Sequence, residues 1–156
     1  EEANKFAKEN GMEPIRISQI NYSLAHSSVE TFGDNTLVCM DTKEFRWYKK
    51  HDFPVMAFSP QAKGFFAKLA KGDAANNLPE GQYAGPANLA RLAKVKQLSE
   101  QTGDTPAKIT LGYLNSQPFF VSSVFAVTKL WQLDEDMEAQ DLTYDPKTVA
   151  FLENMI

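Results

Sequence analysis

The residues best suited to chemistry in this sequence form the polar segment SPQAKG at positions 59–64. The segment directly follows the short apolar run VMAF at 55–58, which is typical of a buried strand. It offers backbone amides, the hydroxyl group of Ser59, the ammonium group of Lys63 and a glycine. A loop of this kind at the carboxyl end of a strand is suited to binding a phosphate or a pyrophosphate.

Two other predicted strand ends bring further side chains to the same place. Gln19 lies near the end of a run of alternating apolar and polar residues, and Thr128 follows a third apolar run. In parallel strands, Gln19, Phe58 and Thr128 would share one carboxyl-end face. There a carboxamide could hydrogen-bond another carboxamide, and an aromatic ring could stack on a flat heterocycle. If Lys63 holds a phosphate as well, these residues together describe a dinucleotide site. Each of them taken alone would also be explained by an ordinary structural role, as a buried polar group or as a ring of the core.

The elements that must position these residues alternate between helices and strands. Strands are predicted over roughly 14–21, 54–59 and 120–127, with helices between them. This order favours α/β architecture with parallel strands, whose right-handed crossovers curl toward a barrel. Three strands cannot close a barrel of eight, so the sequence predicts an open sheet or part of a larger fold. Residues 60–87 are predicted to be irregular.

Composition excludes several classes of function. The 156 residues are 43% hydrophobic with a net charge of −4, which fits one domain and makes nucleic-acid binding a poor candidate. No apolar run is long enough to span a membrane and nothing resembles a signal peptide, so we expect a cytoplasmic protein. Cys39 is the only cysteine, which rules out an internal disulfide and a thiolate metal site. The acidic run at 134–138 is interpreted as a solvated part of a helix rather than a metal site.

Four segments, in order along the chain, resemble the second half of an aldo-keto reductase barrel. They are NKFAKENGMEPIRISQINYSLA, FRWYKKHDFPVMAFSPQAKGFF, NLARLAKVKQLSEQTGDTPAKITLGYLNSQP and VSSVFAVTKLWQLDEDMEA. The most specific parts are SQxNYSLA, the strand that leads into SPxAxG, and TPAKITLGYL. The resemblance implies that residues 1–156 are the C-terminal portion of a single (β/α)8 TIM barrel domain, incomplete as it stands.

By this resemblance the protein would be an oxidoreductase that reduces small-molecule carbonyls to alcohols with NADPH, or alternatively NADH. Gln19 would contact the nicotinamide carboxamide, and Phe58 would occupy the position that stacks on the nicotinamide ring. The pyrophosphate would be lined by Ser59, Pro60, Gln61 and Lys63. The adenosine end would be surrounded by Thr128, Gln132, Glu135 and Asp136.

Three positions depart from the family's pattern. Ala126 stands where many members have glycine, and Asp136 replaces a frequent asparagine. No arginine lies near Thr128, and only Lys129 could neutralise a 2′-phosphate there, which leaves the choice between NADPH and NADH open.

No catalytic residue is predicted in this chain. The family's Asp, Tyr, Lys and His catalytic group lies in the first half of the barrel, and no position here matches it. The implied partner is therefore the N-terminal half of the same barrel. The alternatives are a non-catalytic NADPH-binding regulatory or interaction subunit and, more weakly, half of an unrelated sugar-phosphate barrel. On their own, the 156 residues would expose both outer strand edges, and we expect them to aggregate, to dimerise through the sheet edges or to fold only partly, in each case without turnover.

Overall fold

The computed structural model describes residues 1–72 and 83–153, and it has helices and strands in alternation. The strands are β1 (Ser18–Asn21), β2 (Val55–Phe58) and β3 (Val121–Val124). The helices are α1 (Glu2–Glu9), α2 (Val29–Phe32), α3 (Thr42–His51), α4 (Phe65–Ala70), α5 (Pro86–Thr102), α6 (Pro106–Asn115), α7 (Leu130–Met137) and α8 (Pro146–Leu152), and a 3₁₀ turn covers Ala62–Gly64. No helix in the described ranges is long and apolar enough to cross a membrane.

The three strands form a parallel sheet in the order β1-β2-β3. Asn21 is level with Phe58, and Phe58 is level with Val124, so the carboxyl ends of all three strands are aligned. The predicted fold class is confirmed: the chain is α/β, with an open parallel sheet and flanking helices, as in part of a (β/α)8 barrel. Each strand is shorter than predicted, because β2 has only four residues and its neighbours pair only along that length.

The two faces of the sheet differ in burial. Val55 and Ala57 of β2 are fully buried on the face that the helices cover, whereas Met56 and Phe58 on the opposite face are half-buried. Because side chains alternate along a strand, the register places Gln19 and Phe58 together on this less covered face. That face corresponds to the interior of a barrel.

Helix α6 packs on the covered face of the sheet and forms part of the core. Thr105 caps it by accepting a hydrogen bond from the Lys108 amide, and Pro106 occupies the first turn, where no amide partner is needed. Seven of its ten residues, from Ala107 to Leu114, are buried. The sequence predicts such a helix, because a hydroxyl cap and a proline at Thr105-Pro106 precede apolar residues on several faces, and the structure confirms it.

The prediction that residues 60–87 are irregular is wrong for their first part. The 3₁₀ turn and α4 follow β2 directly, and Phe65 and Phe66 of α4 are almost completely buried. Their burial explains why the chain turns back onto the core immediately after the loop. Positions 73–82 of that predicted segment lie outside the described residues.

The outer edge of β1 is partly paired, contrary to the expectation that both outer strands expose free edges. Asn21 forms a parallel bridge with Cys39. The Asn21 amide donates to the Val38 carbonyl at 2.8 Å, and the Met40 amide donates to the Asn21 carbonyl at 2.8 Å. The following loop thus returns alongside the carboxyl end of β1.

Candidate functional site

The loop after β2 has a left-handed backbone at several residues that are not glycine. The φ angles of Ser59, Ala62 and Lys63 are 52°, 50° and 55°, and Gly64 follows at 78°. L-residues rarely adopt this conformation, and such strain clusters at functional sites. The turn is held by hydrogen bonds from the Ala62 amide to the Ser59 carbonyl and from the Gly64 amide to the Gln61 carbonyl, each 2.9 Å.

The segment after β3 forms a second wall that faces this loop. Gln132 in the first turn of α7 folds back, and its Oε1 accepts hydrogen bonds from the Thr128 amide at 3.1 Å and the Lys129 amide at 3.0 Å. The Thr128 hydroxyl also donates to this oxygen at 3.2 Å. The predicted ligand Gln132 therefore also caps α7, and this contact fixes the position of Thr128.

A partly buried hydrogen bond joins the two walls. Gln61 Nε2 donates to Asp136 Oδ1 at 2.6 Å, and Asp136 is only 4% exposed. The other carboxyl oxygen, Oδ2, is also buried and accepts no hydrogen bond from the described part of the chain. Burial raises the pKa of Asp136, the hydrogen bond from Gln61 opposes this shift, and the nearby charge of Glu135 adds to it.

Between the walls lies a cleft of about 720 Å³ at the carboxyl ends of β2 and β3. This volume is in the range of small-molecule sites, roughly 300–1,000 Å³. Eight of the ten residues predicted to bind cofactor line it: Ser59, Pro60, Gln61, Lys63, Thr128, Gln132, Glu135 and Asp136. The structure thus brings together positions that are up to 77 residues apart in the sequence.

The other two predicted residues lie outside the cleft. Gln19 is exposed on β1, and Phe58 is half-buried at the end of β2. They share the less covered face of the sheet, next to the cleft that begins at Ser59. Asn21 lies on the same face, is 1% exposed and is held by hydrogen bonds with the Phe58 carbonyl at 3.4 Å and the Ser27 hydroxyl at 2.6 Å.

Two lysines that were not among the predicted residues, Lys68 and Lys71, also line the cleft. Lys68 donates to the Lys63 carbonyl at 2.9 Å, and the Lys71 ammonium lies 5.3 Å from the centre of the Trp131 ring on the facing wall. The two lysines have i, i+3 spacing, which places them on the same face of a helix. This spacing is informative only if the stretch is predicted to be helical. With Lys63, they give the cleft three cations against the carboxylates of Glu135 and Asp136, in a chain of net charge −4.

A second cavity of about 410 Å³ lies between α3 and α6, and none of the ten predicted residues lines it. Its floor includes Tyr22 and Tyr113, whose hydroxyl groups are buried; burial raises the pKa of both. Elsewhere in the described ranges, no group of three His, Cys, Asp or Glu side chains could hold a metal ion.

The residues of the cleft fit a dinucleotide by their chemistry. Lysines and hydroxyl groups line the loop side and suit phosphate oxygens. On the facing side, the buried Asp136 Oδ2 has no donor among the described residues, and an amino or hydroxyl group of a ligand could supply one. Val124, which is level with Phe58 on the less covered face of the sheet, also lines the cleft.

Comparison with known proteins supports this architecture. A thermostable aldo-keto reductase, solved in complex with the inhibitor epalrestat, is similar to the chain with a TM-score of 0.61 and 14% sequence identity. The match covers 97% of this chain but 44% of that protein, so the chain spans less than half of its length. At this identity the likeness shows the fold alone. The model of the aldo/keto reductase family matches residues 1–156, and the chain therefore belongs to the aldo/keto reductase family.

Proposed function

We propose that this chain is the cofactor-binding, C-terminal portion of an NAD(P)(H)-dependent oxidoreductase that reduces small-molecule carbonyls to alcohols. The observation that carries the proposal is the convergence of eight of the ten predicted residues on one cleft at the strand ends. Family membership supports an oxidoreductase of the aldo-keto reductase type.

In this proposal, the loop 59–64 and its lysine bind the pyrophosphate, and the wall formed by Thr128 and α7 holds the adenosine end. Phe58 and Gln19 orient the nicotinamide on the adjacent sheet face. The bound nicotinamide supplies a hydride for the carbonyl carbon of the substrate. The proton for the carbonyl oxygen comes from an acid in the N-terminal half of the barrel, since no residue of this chain matches the family's catalytic group.

The proposal includes a cytoplasmic location and requires neither nucleic acid nor a membrane. The single cysteine of the sequence suits a reducing compartment because no internal disulfide is needed.

The experiment is a fluorescence titration of the native protein, with the N-terminal half of the barrel present, with NADPH and NADH, together with its Phe58→Ala variant. We expect binding of at least one dinucleotide, and a loss of about tenfold in affinity for Phe58→Ala, because stacking on a nucleotide base or ring contributes roughly 1–3 kcal/mol. Met56→Ala, a truncation on the same sheet face two residues earlier, is the matched control and should bind normally. Equal affinity for native protein and Phe58→Ala would argue against the stacking role.

Turnover of a simple aldehyde by the complete barrel, with its N-terminal half present, distinguishes the enzyme from a non-catalytic NADPH-binding subunit of the same fold. The enzyme oxidises bound NADPH when the aldehyde is added, whereas the binding subunit retains it reduced. Absence of binding for both dinucleotides would exclude both functions.

A further inference from the structure

We propose that the second cavity, between α3 and α6, binds a small organic carboxylate, with Tyr22 and Arg91 as the donors to its carboxylate group. The cavity has a volume of about 410 Å³, which is in the range of small-molecule sites. Among the described residues, it shares no lining residue with the cleft at the carboxyl ends of β2 and β3. A ligand here would therefore occupy a site separate from that of the proposed cofactor.

The cavity lies on the helix side of the sheet. Ile20 and Tyr22 are both buried in the hydrophobic core, as expected for positions two apart that extend from β1 toward the helices. The other walls come from α3, α5 and α6, through Phe45, Arg91 and Tyr113. Further strands of a barrel would pair with the outer edges of β1 and β3, so they would not fill this cavity.

The observation that points to a ligand is the hydroxyl group of Tyr22. Tyr22 is 4% exposed and lines the cavity, and its hydroxyl is buried with no hydrogen-bond partner in the described part of the chain. Burial raises the pKa of Tyr22, so the hydroxyl keeps its proton at neutral pH. The nearby Tyr113 hydroxyl, which opposes this rise in pKa, donates its own proton to Glu153 Oε1 at 2.7 Å. A buried donor without an acceptor is costly, and the carboxylate of a ligand would supply the acceptor.

Arg91 is placed to bind the same carboxylate group. Its Nη1 donates to the Leu24 carbonyl at 2.7 Å, which fixes the guanidinium group at the cavity wall. Burial raises the pKa of Tyr22, and the charge of Arg91 is close enough to oppose that rise. In residues 1–72 and 83–153, no carboxylate forms an ion pair with Arg91. The remaining N–H groups of its planar fork can therefore donate to both oxygens of a carboxylate.

The other charges of the lining favour an anion. Arg46 and Lys49 on α3 are exposed and add two cations to the cavity wall. The two carboxylates in the lining are already engaged, because Asp41 caps α3 and Glu153 accepts the hydrogen bond described above. A negatively charged ligand would therefore meet more cations than carboxylates.

The remaining walls favour a ligand with an apolar body. They consist of the Met40 and Phe45 side chains, the Ala25 methyl group and the rings of the two tyrosines. Burial of a hydrocarbon or aromatic group against these walls is favourable, whereas an inorganic anion would leave them without a contact. An aromatic or aliphatic monocarboxylate combines an apolar body with the charge that the donors require.

The test is isothermal titration calorimetry of the native protein, with the N-terminal half of the barrel present, using benzoate and hexanoate as probes. Each carboxylate is compared with its neutral amide, benzamide or hexanamide, and with inorganic phosphate. We expect at least one carboxylate to bind about tenfold or more tightly than its amide, which lacks the charge, and than phosphate, which lacks the apolar body.

Tyr22→Phe removes the hydroxyl group and keeps the ring. We expect it to weaken carboxylate binding about tenfold, the loss for one hydrogen bond to a charged group. Tyr144→Phe is the matched control, because that hydroxyl is also buried without a partner in the described residues but does not line the cavity. It should bind the carboxylate as the native protein does. Arg91→Lys, which keeps the charge and loses the planar fork, should weaken binding less than Arg91→Met.

Melting temperatures separate a loss of binding from a loss of folding. Without ligand, Tyr22→Phe should melt no lower than the native protein, because it removes a buried donor that has no acceptor. The carboxylate should raise the melting temperature of the native protein and of Tyr144→Phe more than that of Tyr22→Phe. A lower melting temperature for ligand-free Tyr22→Phe would show that the hydroxyl has a structural role instead.

The proposal is overturned if neither carboxylate binds, or if the native protein and Tyr22→Phe bind it equally, since the carboxylate then occupies another site. Equal affinity for the carboxylate and its amide, or for the carboxylate and phosphate, would show that the cavity does not recognise an organic carboxylate. NADPH affinity should be the same in all these variants. Failure of both dinucleotides to bind would exclude the proposed function and leave the carboxylate site unaffected.

Discussion

At the scale of single residues, Asp136 is predicted to bind the cofactor, and the same side chain lowers the stability of the free protein. Asp136 is 4% exposed, and in the described residues Oδ1 accepts a hydrogen bond from Gln61 Nε2 while Oδ2 accepts none. A buried acceptor without a partner costs about 1–3 kcal/mol, and a buried charge costs more. The stability of the free protein therefore depends on the protonation of this carboxyl group.

The first prediction concerns the pH dependence of this cost. Because burial raises the pKa of Asp136 above the unfolded value of 3.8, the folded state holds its proton to higher pH than the unfolded state. The free energy of unfolding contributed by this group therefore falls as the pH rises from the unfolded pKa through the folded one. Asp136→Asn removes this contribution, so the stability of the variant relative to the native protein should increase as the pH rises from the unfolded pKa of Asp136 through its higher folded pKa. Urea denaturation across this range measures it.

Asp145 provides a control of opposite sign. It is exposed and caps α8 by accepting a hydrogen bond from the Thr148 amide at 2.7 Å, which lowers its pKa. Its contribution to stability is therefore present above the unfolded pKa and lost as the pH falls through the folded one. Asp145→Asn should lose relative stability as the pH rises. A stability difference for Asp136→Asn that does not vary with pH would show that its carboxyl group titrates normally.

At the scale of elements, α6 is fixed by its contact with the segment that follows α7. Asn115 Nδ2 donates to the Ala139 carbonyl at 2.9 Å, and the Tyr144 amide donates to the Ser116 hydroxyl at 2.7 Å. This close approach is permitted by Gly112, where a Cβ atom would lie 2.8 Å from Tyr144 Cε2 and 2.9 Å from Leu142 Cγ. The glycine is thus a packing requirement rather than a flexible point.

The second prediction follows from this spacing. Gly112→Ala should lower the free energy of unfolding, because overpacking costs about 1–3 kcal/mol and helix propensity returns at most about 1 kcal/mol. Gly85→Ala, at the N-cap of α5, is the control for a glycine replaced without overpacking, since a Cβ atom there would meet no described atom within 4 Å. Thermal denaturation of both variants measures the difference. Equal melting temperatures would mean that the 142–144 segment shifts away without cost.

The elements also show what the sequence could and could not predict. Local signals in the sequence predict three features of the structure. Period-two alternation predicts the strands, and a Thr-Pro start predicts α6. A polar loop after a strand predicts the cleft residues of loop 59–64. Helix α4 has no such signal, since it has six residues and starts at Gly64 without a side-chain cap. The contact of Lys71 with Trp131 spans 60 residues and depends on that helix, so no local pattern could predict it.

At the scale of the whole molecule, the sheet has one covered face and one that is largely open. On the open face, Phe120 directly precedes β3 and is 63% exposed, and Val124 ends β3 and is 38% exposed. Ile17 directly precedes β1 and is 37% exposed. In the described residues, β3 pairs only with β2, so its outer edge has free backbone groups. In a complete barrel, further strands would pair with this edge and cover the open face.

The last prediction concerns these 156 residues expressed alone. An open parallel edge beside exposed apolar side chains promotes association, so the isolated chain should form dimers or larger aggregates and should not reduce an aldehyde with NADPH. Phe120→Lys should reduce the association because a charge at the edge of β3 disfavours pairing with another strand. Leu89→Lys, which replaces an apolar residue of 44% exposure on α5, should not. Size-exclusion chromatography with light scattering over a range of concentrations distinguishes these outcomes. A stable monomer with reductase activity would show that the open sheet face requires no further strands.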